Sequence, residues 1–350
     1  MNFKVQEPRV SGPSLTSDSA AKFPAAANEN PPPSPIRAFL MGRGNSAVSD
    51  RSFRWLMVLC AISIFAIVAL IAWELVAQSG LAFSKFGFSF FFKQAWNPVS
   101  GDFGALPFVY GTLVSSIVAL IIAVPLAIGV AIFLTEMCPK ILRTPLSFMT
   151  ELLAAIPSVV YGLWAIFVLV PLLREYVNPF LMKVFGWTGF FAGPNFGIGM
   201  FAAGVILAIM ILPIISSLTR EVMTAVPHSQ REAVLALGAT RWEMIRMGVL
   251  RNARIGIVGS VILGLGRALG ETMAVTMVIG NSPEIHRSVL ALGHSMASVI
   301  ANEFSEASDD LYRSALVQIG LALFLVTIIV NALARLLVWA VTRGASERVV

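Results

Sequence analysis

The sequence predicts an all-α integral membrane protein with six transmembrane helices. Hydrophobic residues make up 57% of its 350 residues and charged residues only 13%. In soluble domains about 45–50% of residues are apolar and about 25% are charged. The mean hydropathy is +0.81, and several apolar runs reach the roughly 20 residues that a helix needs to cross the bilayer core. The net charge of +6 is carried by too few charges to form a nucleic-acid-binding surface.

The uncharged runs predict where most of these helices lie. They place spans at 55–73, 103–135, 152–173, 184–219 and 314–334. A further span, fifth along the chain, is predicted at 255–280, where Arg267 and Glu271 are the only charged residues. The runs at 103–135 and 184–219 are longer than one bilayer crossing, so each is expected to include chain at the membrane surface.

The distribution of basic residues predicts the orientation, because Lys and Arg favour cytoplasmic loops. With the N-terminus inside, the opposite side carries only Lys85, Lys93, Arg174, Lys183, Arg287 and Arg313. Both termini are therefore expected in the cytoplasm. Residues 1–50 are rich in Ser, Ala and Pro and are predicted to be a disordered cytoplasmic tail, because they cannot bury enough apolar surface to offset the entropy of ordering. Residues 51–108 are predicted to hold the first span and an external loop, and 109–342 the main membrane domain.

The cytoplasmic connection 219–254 is predicted to fold as a helix, a tight turn and a second helix. Gly238 stands where the first helix would end, a position that favours the left-handed conformation. Two pairs have the spacing of a capping box, which satisfies free backbone amides at a helix N-terminus: Ser229 with Glu232, and Thr240 with Glu243.

Several side chains of this connection are expected to lie at its surface. The apolar residues expected to face one way or to lie at an interface are Val234, Leu235 and Leu237. The basic residues expected to be available to a soluble partner are Arg231, Arg241 and Arg246.

The stretch REAVLALGATRWEMIRMGVL within this connection resembles the cytoplasmic signature of ABC importer permeases. That signature is Glu-Ala-Ala, three residues, Gly, nine residues and Ile-x-Leu-Pro. Its matching positions are Glu232, Ala233, Gly238 and Leu250, and its departures are Val234 at the second Ala, Gly248 at the Ile and Arg251 at the Pro. Since Pro ends helices, Arg251 leaves open whether the second helix stops there.

In that family the helix pair docks into a groove of an ATPase subunit. The resemblance therefore implies an ATPase-coupling role for Ser229, Glu232, Ala233, Gly238, Thr240 and Glu243. The alternative is that Glu232 only caps a helix and Gly238 only forms a turn.

The chain also contains the stretches WNPVSGDFGALPFVYGTL, ELLAAIPSVVYGLWAIFV, GPNFGIGMFAAGVILAIMILP, GLGRALGETMAVTMVIGN and ANEFSEA. From about residue 85 to residue 343 it resembles the permeases of phosphate importers, in particular the PstC type. The resemblance implies an ABC type I importer permease fold over 109–342 and a multi-pass location in the bacterial inner membrane. The partners that it implies are a PstA-type permease, a PstB-type ATPase dimer and an external PstS-type phosphate-binding protein.

Arg267 lies near the centre of the predicted fifth span, where insertion of an arginine costs about 2.5–3.5 kcal/mol. Such residues usually face a bundle interior or a water-filled path, and a guanidinium fork matches an oxyanion such as phosphate. Arg267 is therefore predicted to contact phosphate transiently. Glu271, at i+4 on the same helix face, is predicted to be its resting partner. The alternative is a purely structural ion pair that holds the helix to its neighbours.

The residues around this pair are assigned supporting roles. Room for close helix approach is expected at Gly264, Gly266 and Gly270. Thr272 is placed along the path, although it and Thr276 are expected to bond the carbonyls four residues earlier rather than an anion.

The sequence contains no phosphate-binding G-x-x-x-x-G-K-[ST] loop. ATP and Mg²⁺ are therefore expected on the partner ATPase, and this chain is expected to be a transporter subunit that binds no cofactor and is not an enzyme. Two distant cysteines, Cys60 and Cys138, and three scattered histidines predict neither a disulfide framework nor a metal site. The alternatives are a permease for another oxyanion, and a secondary transporter or membrane sensor that needs no ATPase.

Overall fold

The computed structural model describes residues 46–346, and their regular structure is helical. Within this range no β-strand forms, and only two isolated bridges occur, Asn97 with Asp102 and Gly280 with Gly293. The α-helices are α1 Ser46–Gln78, α2 Gly80–Phe86, α3 Leu106–Ile132, α4 Lys140–Ala155, α5 Ser158–Trp164, α6 Val170–Leu172, α7 Asn178–Phe185, α8 Met200–Thr224, α9 His228–Ala236, α10 Arg241–Glu243, α11 Arg251–Gly270, α12 Met273–Thr276, α13 Met296–Glu303 and α14 Asp310–Ser346. Short 3₁₀ or π turns lie at Gly87–Phe91, Phe133–Met137, Ala165–Leu169, Leu173–Val177, Gly186–Thr188 and Met244–Leu250.

Among the described residues, 6 helical segments are long and apolar enough to cross a membrane. The predicted all-α membrane fold with six spans is therefore confirmed. The segments are Asp50–Gln78, Leu106–Met137, Ser158–Thr188, Met200–Thr224, Arg241–Gly270 and Asp310–Leu336. The third, fourth and fifth spans differ in position from the sequence prediction, each for a local reason.

The third span is displaced by Pro157. The residue before a proline is driven out of the α region, and Ile156 is extended, with ψ 130. Helix α4 therefore ends at Ala155 and a new helix starts at Ser158. The prediction of one span across 152–173 is wrong, and α4 is a separate helix.

The fourth span starts later than predicted because glycines interrupt the apolar run. Gly189, Gly193, Gly197 and Gly199 all have positive φ, which residues with a Cβ rarely adopt. Residues 189–199 therefore form a loop, and the helix begins at Met200.

The fifth span both begins and ends earlier than predicted. Its helical segment, Arg241–Gly270, has 30 residues and is about 45 Å long, whereas the bilayer core is about 30 Å thick. The segment therefore extends beyond the core, and the chain after Gly270 is not a continuation of the same helix.

Helix α8 is the central helix, because 61% of its most apolar window is buried, against 33% or less in the other spans. Small residues let its neighbours approach closely. On α3, a stripe at four-residue spacing is buried: Gly111, Ser115, Ala119, Ala123, Ala127 and Ala131. On α11, Gly256 and Gly264 lie against Val222 and Ile215 of α8, and between them the Ser260 and Thr219 hydroxyls are 2.9 Å apart.

The chain divides into two compact units, Met1–Ile64 and Phe65–Val350. The described part of the first unit is the beginning of α1, where Phe53 and Trp55 are exposed. The predicted disordered tail lies mainly outside the described residues. Of the predicted tail, the structure describes only residues 46–50, which are helical.

Candidate functional site

The cytoplasmic connection contains the predicted helix pair. Helix α9 starts at His228, and its N-cap is Pro227, with φ −58 and ψ 142 and no side-chain hydrogen bond. Proline is disfavoured in a helix interior, and the helix starts directly after it, before the predicted cap. Ser229 and Glu232 lie inside α9, and the predicted capping box between them is wrong.

The turn and the start of the second helix agree with the prediction. Gly238 follows the end of α9 with φ +81, and its N–H donates to the Leu235 carbonyl at 3.0 Å. The Thr240 hydroxyl accepts from the Glu243 N–H at 3.3 Å, and the Thr240 N–H donates to Glu243 Oε2 at 2.8 Å. This reciprocal capping box is confirmed.

The outer face of the pair is exposed and partly apolar. Leu237, next to the turn, is 87% exposed, and Trp242 is 59% exposed. Glu232 and Ala233 are also exposed. Exposed apolar side chains grouped on a polar loop are typical of a protein interface, so this face is suited to docking.

Arg231 does not belong to that face. It was expected to be available to a soluble partner, but only 9% of the residue is exposed. Its guanidinium pairs with Glu136 Oε1 at 3.1 Å and donates to the backbone carbonyls of Val226 and Met223. Arg241 and Arg246 are exposed, as expected.

The second helix of the pair runs without interruption into the fifth span. Arg251 has helical φ −62 and ψ −38, and it joins the π-helical turn Met244–Leu250 to α11. Without a proline at this position the backbone hydrogen bonds need not break. The turn at Gly238 is therefore joined to the fifth span by continuous helical backbone from Arg241 onwards.

The other candidate site lies at the opposite end of α11. Arg267 is in the last turn of this helix and is exposed within this chain. The helix ends at Gly270, and Glu271 is extended, with φ −71 and ψ 129. The prediction that the two charges share one face of a continuous helix is wrong. No ion pair joins them in the described part of the chain.

Two consequences follow for Arg267. A structural ion pair with Glu271 does not hold the helix in this chain. Instead, the cation lies beside the partial negative charge of the α11 C-terminus, which stabilises it. Among the described residues, no carboxylate forms an ion pair with its guanidinium.

The supporting residues differ in their environments. Gly264 is pressed against Ile215, whereas a Cβ on Gly266 or Gly270 would meet nothing within 4 Å. Only Gly264 therefore serves close helix approach. The Thr276 hydroxyl bonds the Thr272 carbonyl at 2.8 Å, as expected.

Thr272 itself behaves differently from Thr276. Its hydroxyl donates to the Gly270 carbonyl at 3.3 Å, two residues earlier rather than four. The Thr272 hydroxyl therefore forms its hydrogen bond within the break between α11 and α12.

The structure adds residues that the sequence did not single out. Arg267 interacts electrostatically with Tyr161 of α5, whose hydroxyl donates to the Leu153 carbonyl at 2.8 Å across the Pro157 break. Glu136 was also missed. Its only signal in the sequence is its position as a carboxylate at the end of an apolar run. Its partner, Arg231, is 95 residues away.

Comparison with known proteins identifies close relatives. The chain is 48% identical over 293 residues to a phosphate transport system permease protein PstC from Mesorhizobium japonicum, covering 83% of this chain and 90% of the relative. It is 46% identical over 310 residues to the protein of the same name from Pasteurella multocida, covering 87% of this chain and 97% of the relative.

A family model and a solved structure agree with these relatives. The model of the binding-protein-dependent transport system inner membrane component matches residues 123–343. The crystal structure of a bacterial ABC transporter for import of the acidic polysaccharide alginate has a chain with a TM-score of 0.51, at 17% identity, covering 83% of this chain and 98% of that one. At this identity the likeness concerns the fold alone.

Proposed function

The chain belongs to the family of binding-protein-dependent transport system inner membrane components, and on this basis we propose that it is the permease subunit of an ATP-driven importer of inorganic phosphate. The observation that carries the proposal is the identity of 46–48% to phosphate transport permeases over at least 90% of their lengths. The chain is a multi-pass membrane transport component rather than an enzyme. It works with an ATPase and with permease partners.

The exposed face of the helix pair supports ATPase coupling. Leu237 and Trp242 offer apolar side chains, the Gly238 turn and the Thr240 capping box fix the tip, and the unbroken helix through Arg251 leads to the bilayer. The docking residues in this proposal are Ser229, Glu232, Ala233, Gly238, Thr240 and Glu243. ATP and Mg²⁺ then bind on the partner, whose closure on ATP moves the helix pair.

The end of α11 supports an anion path. Arg267 is a cation in an apolar helix, and it is exposed in the isolated chain, which suits a residue that lines a path shared with a second permease. Its planar fork fits a phosphate oxyanion. Glu271 and Thr272 lie at the helix break next to it, where Glu271 limits how tightly an anion is held.

The proposed assembly contains a PstA-type permease, a PstB-type ATPase dimer and an external PstS-type phosphate-binding protein. It lies in the bacterial inner membrane, and both termini of this chain are cytoplasmic. Lys and Arg are more numerous in the termini and connections that this orientation places in the cytoplasm than in those it places outside.

The test is reconstitution of the chain with these partners in proteoliposomes. We expect ATP-dependent uptake of labelled phosphate that excess unlabelled phosphate suppresses and excess sulfate or molybdate does not. Preferential uptake of sulfate or molybdate would assign a different oxyanion. Uptake by the purified chain without any ATPase would replace the proposal with a secondary transporter.

A further inference from the structure

A single buried guanidinium joins three elements at the cytoplasmic side. Arg231 lies on α9, directly before Glu232 of the docking face. Its Nε and Nη2 donate to Glu136 Oε1 at 3.3 and 3.1 Å. Glu136 lies in the π-helical turn that ends the second span. One side chain therefore connects the docking helix to the end of the second span.

The same guanidinium also covers the end of the fourth span. Its Nη2 donates to the Met223 carbonyl at 2.8 Å and its Nη1 donates to the Val226 carbonyl. The last carbonyls of a helix have no partner within the helix and carry partial negative charge. Arg231 therefore caps α8 while it holds Glu136.

Burial makes this connection stiff. The side chains of Arg231 and Glu136 are only 11% and 9% exposed. Met223 and Val226, whose carbonyls accept from Arg231, belong to a buried apolar cluster with Ala131, Met244, Ile245 and Val249. A buried charge that loses its partner is strongly unfavourable, so the three elements cannot separate at low cost. An exposed pair with mobile side chains would not impose this constraint.

We propose that Arg231 and Glu136 are a positioning pair that makes the docking helix α9 move as one body with the cytoplasmic ends of the second and fourth spans. The proposal rests on the importer function proposed above. Force from the ATPase reaches the fifth span through the backbone, because the second helix of the pair continues into it. It reaches the second and fourth spans through Arg231.

The chain offers a matched control pair. Arg220 Nη2 and Glu151 Oε1 are 2.6 Å apart and join α8 to α4, and the Glu151 side chain is 54% exposed. This pair also links two helices on the cytoplasmic side, but its partners do not lie on the docking helix. Its loss should leave transmission from the ATPase intact.

The experiment measures phosphate uptake per ATP hydrolysed by the complete reconstituted complex, with the binding protein present. The variants are Arg231→Lys, Glu136→Gln and Glu136→Ala, with Arg220→Lys as control. Lysine keeps the charge but cannot present the planar fork to the three acceptors together. We expect the ratio of uptake to hydrolysis to fall by roughly 3- to 30-fold in Arg231→Lys, the range for residues that carry coupling between sites.

The Glu136 variants make the test independent of the capping of α8. We expect Glu136→Gln, which keeps a hydrogen-bond acceptor, to retain more coupling than Glu136→Ala, while Arg220→Lys matches the wild type. Wild-type ratios in assembled Arg231→Lys and Glu136→Ala complexes would overturn the inference. Loss of assembly in all three variants would also overturn it, because the pair would then only hold the fold. Failure of the wild-type complex to import phosphate would instead refute the proposed function.

Discussion

At the scale of single residues, burial separates arginines that the sequence presents alike. Arg231 and Arg246 both lie in the basic connection between the fourth and fifth spans, yet Arg231 is buried against Glu136 and Arg246 is exposed. The distinction depends on a carboxylate 95 residues away, so local pattern could not reveal it. Arg267 shows the reverse case. Its unusual position in an apolar run was visible in the sequence, but the helix end that separates it from Glu271 was not.

Arg267 provides the first residue-scale prediction. Arg267→Lys keeps the charge but loses the fork, and hydrogen bonds to charged groups contribute about 1.5–3 kcal/mol. We therefore expect phosphate uptake per assembled complex to fall roughly tenfold or more, while the amount of complex is unchanged. Uptake is measured in proteoliposomes and assembly by co-purification.

The double variant Arg267→Ala with Glu271→Ala separates the two roles considered for this site. Because no ion pair joins the residues within the described chain, removing both charges should leave assembly intact and abolish uptake. Near-normal uptake by the double variant would remove Arg267 from the phosphate path.

His294 provides a second prediction, on pH dependence. Burial lowers its pKa to about 4, from an ordinary value of 6.5, and its Nδ1 lies 2.7 Å from the Ser298 hydroxyl. The folded protein therefore holds the neutral ring. The stability associated with this residue is fully present above pH 6.5 and is lost as the pH falls towards 4, because the unfolded chain binds the proton first.

The measurement is the thermal unfolding midpoint of the purified chain between pH 7 and pH 4. We expect the midpoint to fall over this interval in the wild type and to fall less in His294→Asn, which has no titrating ring. Equal slopes for the two proteins would show that His294 does not titrate in this way.

At the scale of elements, hydrophobic runs predicted how many spans exist, while proline and glycine decided where three of them lie. A window of uncharged residues cannot distinguish the extended residue before Pro157 from a helix interior, so the run at 152–173 predicts one span. Of the two predicted capping boxes, one forms and one does not, and a proline again makes the difference. Thr240 with Glu243 formed its box, whereas Pro227 started α9 before Ser229 could cap it.

The turn of the helix pair gives an element-scale prediction. Gly238 has φ +81 and open space around its Cα, so a side chain there is opposed by backbone strain and not by a steric clash. A β-branched residue adopts this conformation only at a cost. Gly238→Val should leave membrane insertion intact and reduce binding of the ATPase and phosphate-stimulated hydrolysis.

Gly238→Asn is the matched control, because asparagine tolerates the left-handed region, and it should retain more hydrolysis than the valine variant. If the purified Gly238→Val complex hydrolyses ATP at the wild-type rate in the presence of phosphate, the docking role of this turn is wrong.

The small-residue stripe of α3 gives a second element-scale prediction. A Cβ on Gly111 would clash with the His294 carbonyl oxygen, whereas one on Gly129 of the same helix would meet nothing within 4 Å. Gly111→Ala should therefore lower stability by about 1–3 kcal/mol or more, as overpacking does. Gly129→Ala should be neutral or slightly stabilising, since alanine favours helix. Thermal unfolding of the two purified variants distinguishes them, and equal midpoints would contradict the close packing at Gly111.

At the scale of the whole molecule, the alternation of loops across the bilayer relates the side of the helix pair to the side of the segment before the sixth span. The docking pair follows the fourth span and the segment that contains Ser308 follows the fifth, so the two must lie on opposite sides if each span crosses once. The distribution of Lys and Arg predicts that the helix pair lies in the cytoplasm. This orientation is what allows an ATPase to reach Leu237.

Cysteine labelling tests this orientation. In a background with Cys60 and Cys138 replaced by serine, Ser308→Cys and Ser229→Cys each place one thiol at an exposed position. An impermeant thiol reagent applied to intact cells, after the outer membrane has been permeabilised where one is present, should label the cysteine at 308 and not the one at 229. In inverted membrane vesicles stripped of the ATPase, the cysteine at 229 should react instead. The stripped vesicles are needed because a docked ATPase would also shield position 229. Labelling at 229 in intact cells would place the docking face outside, where no ATP is available, and would remove the basis for ATP-driven transport by this chain.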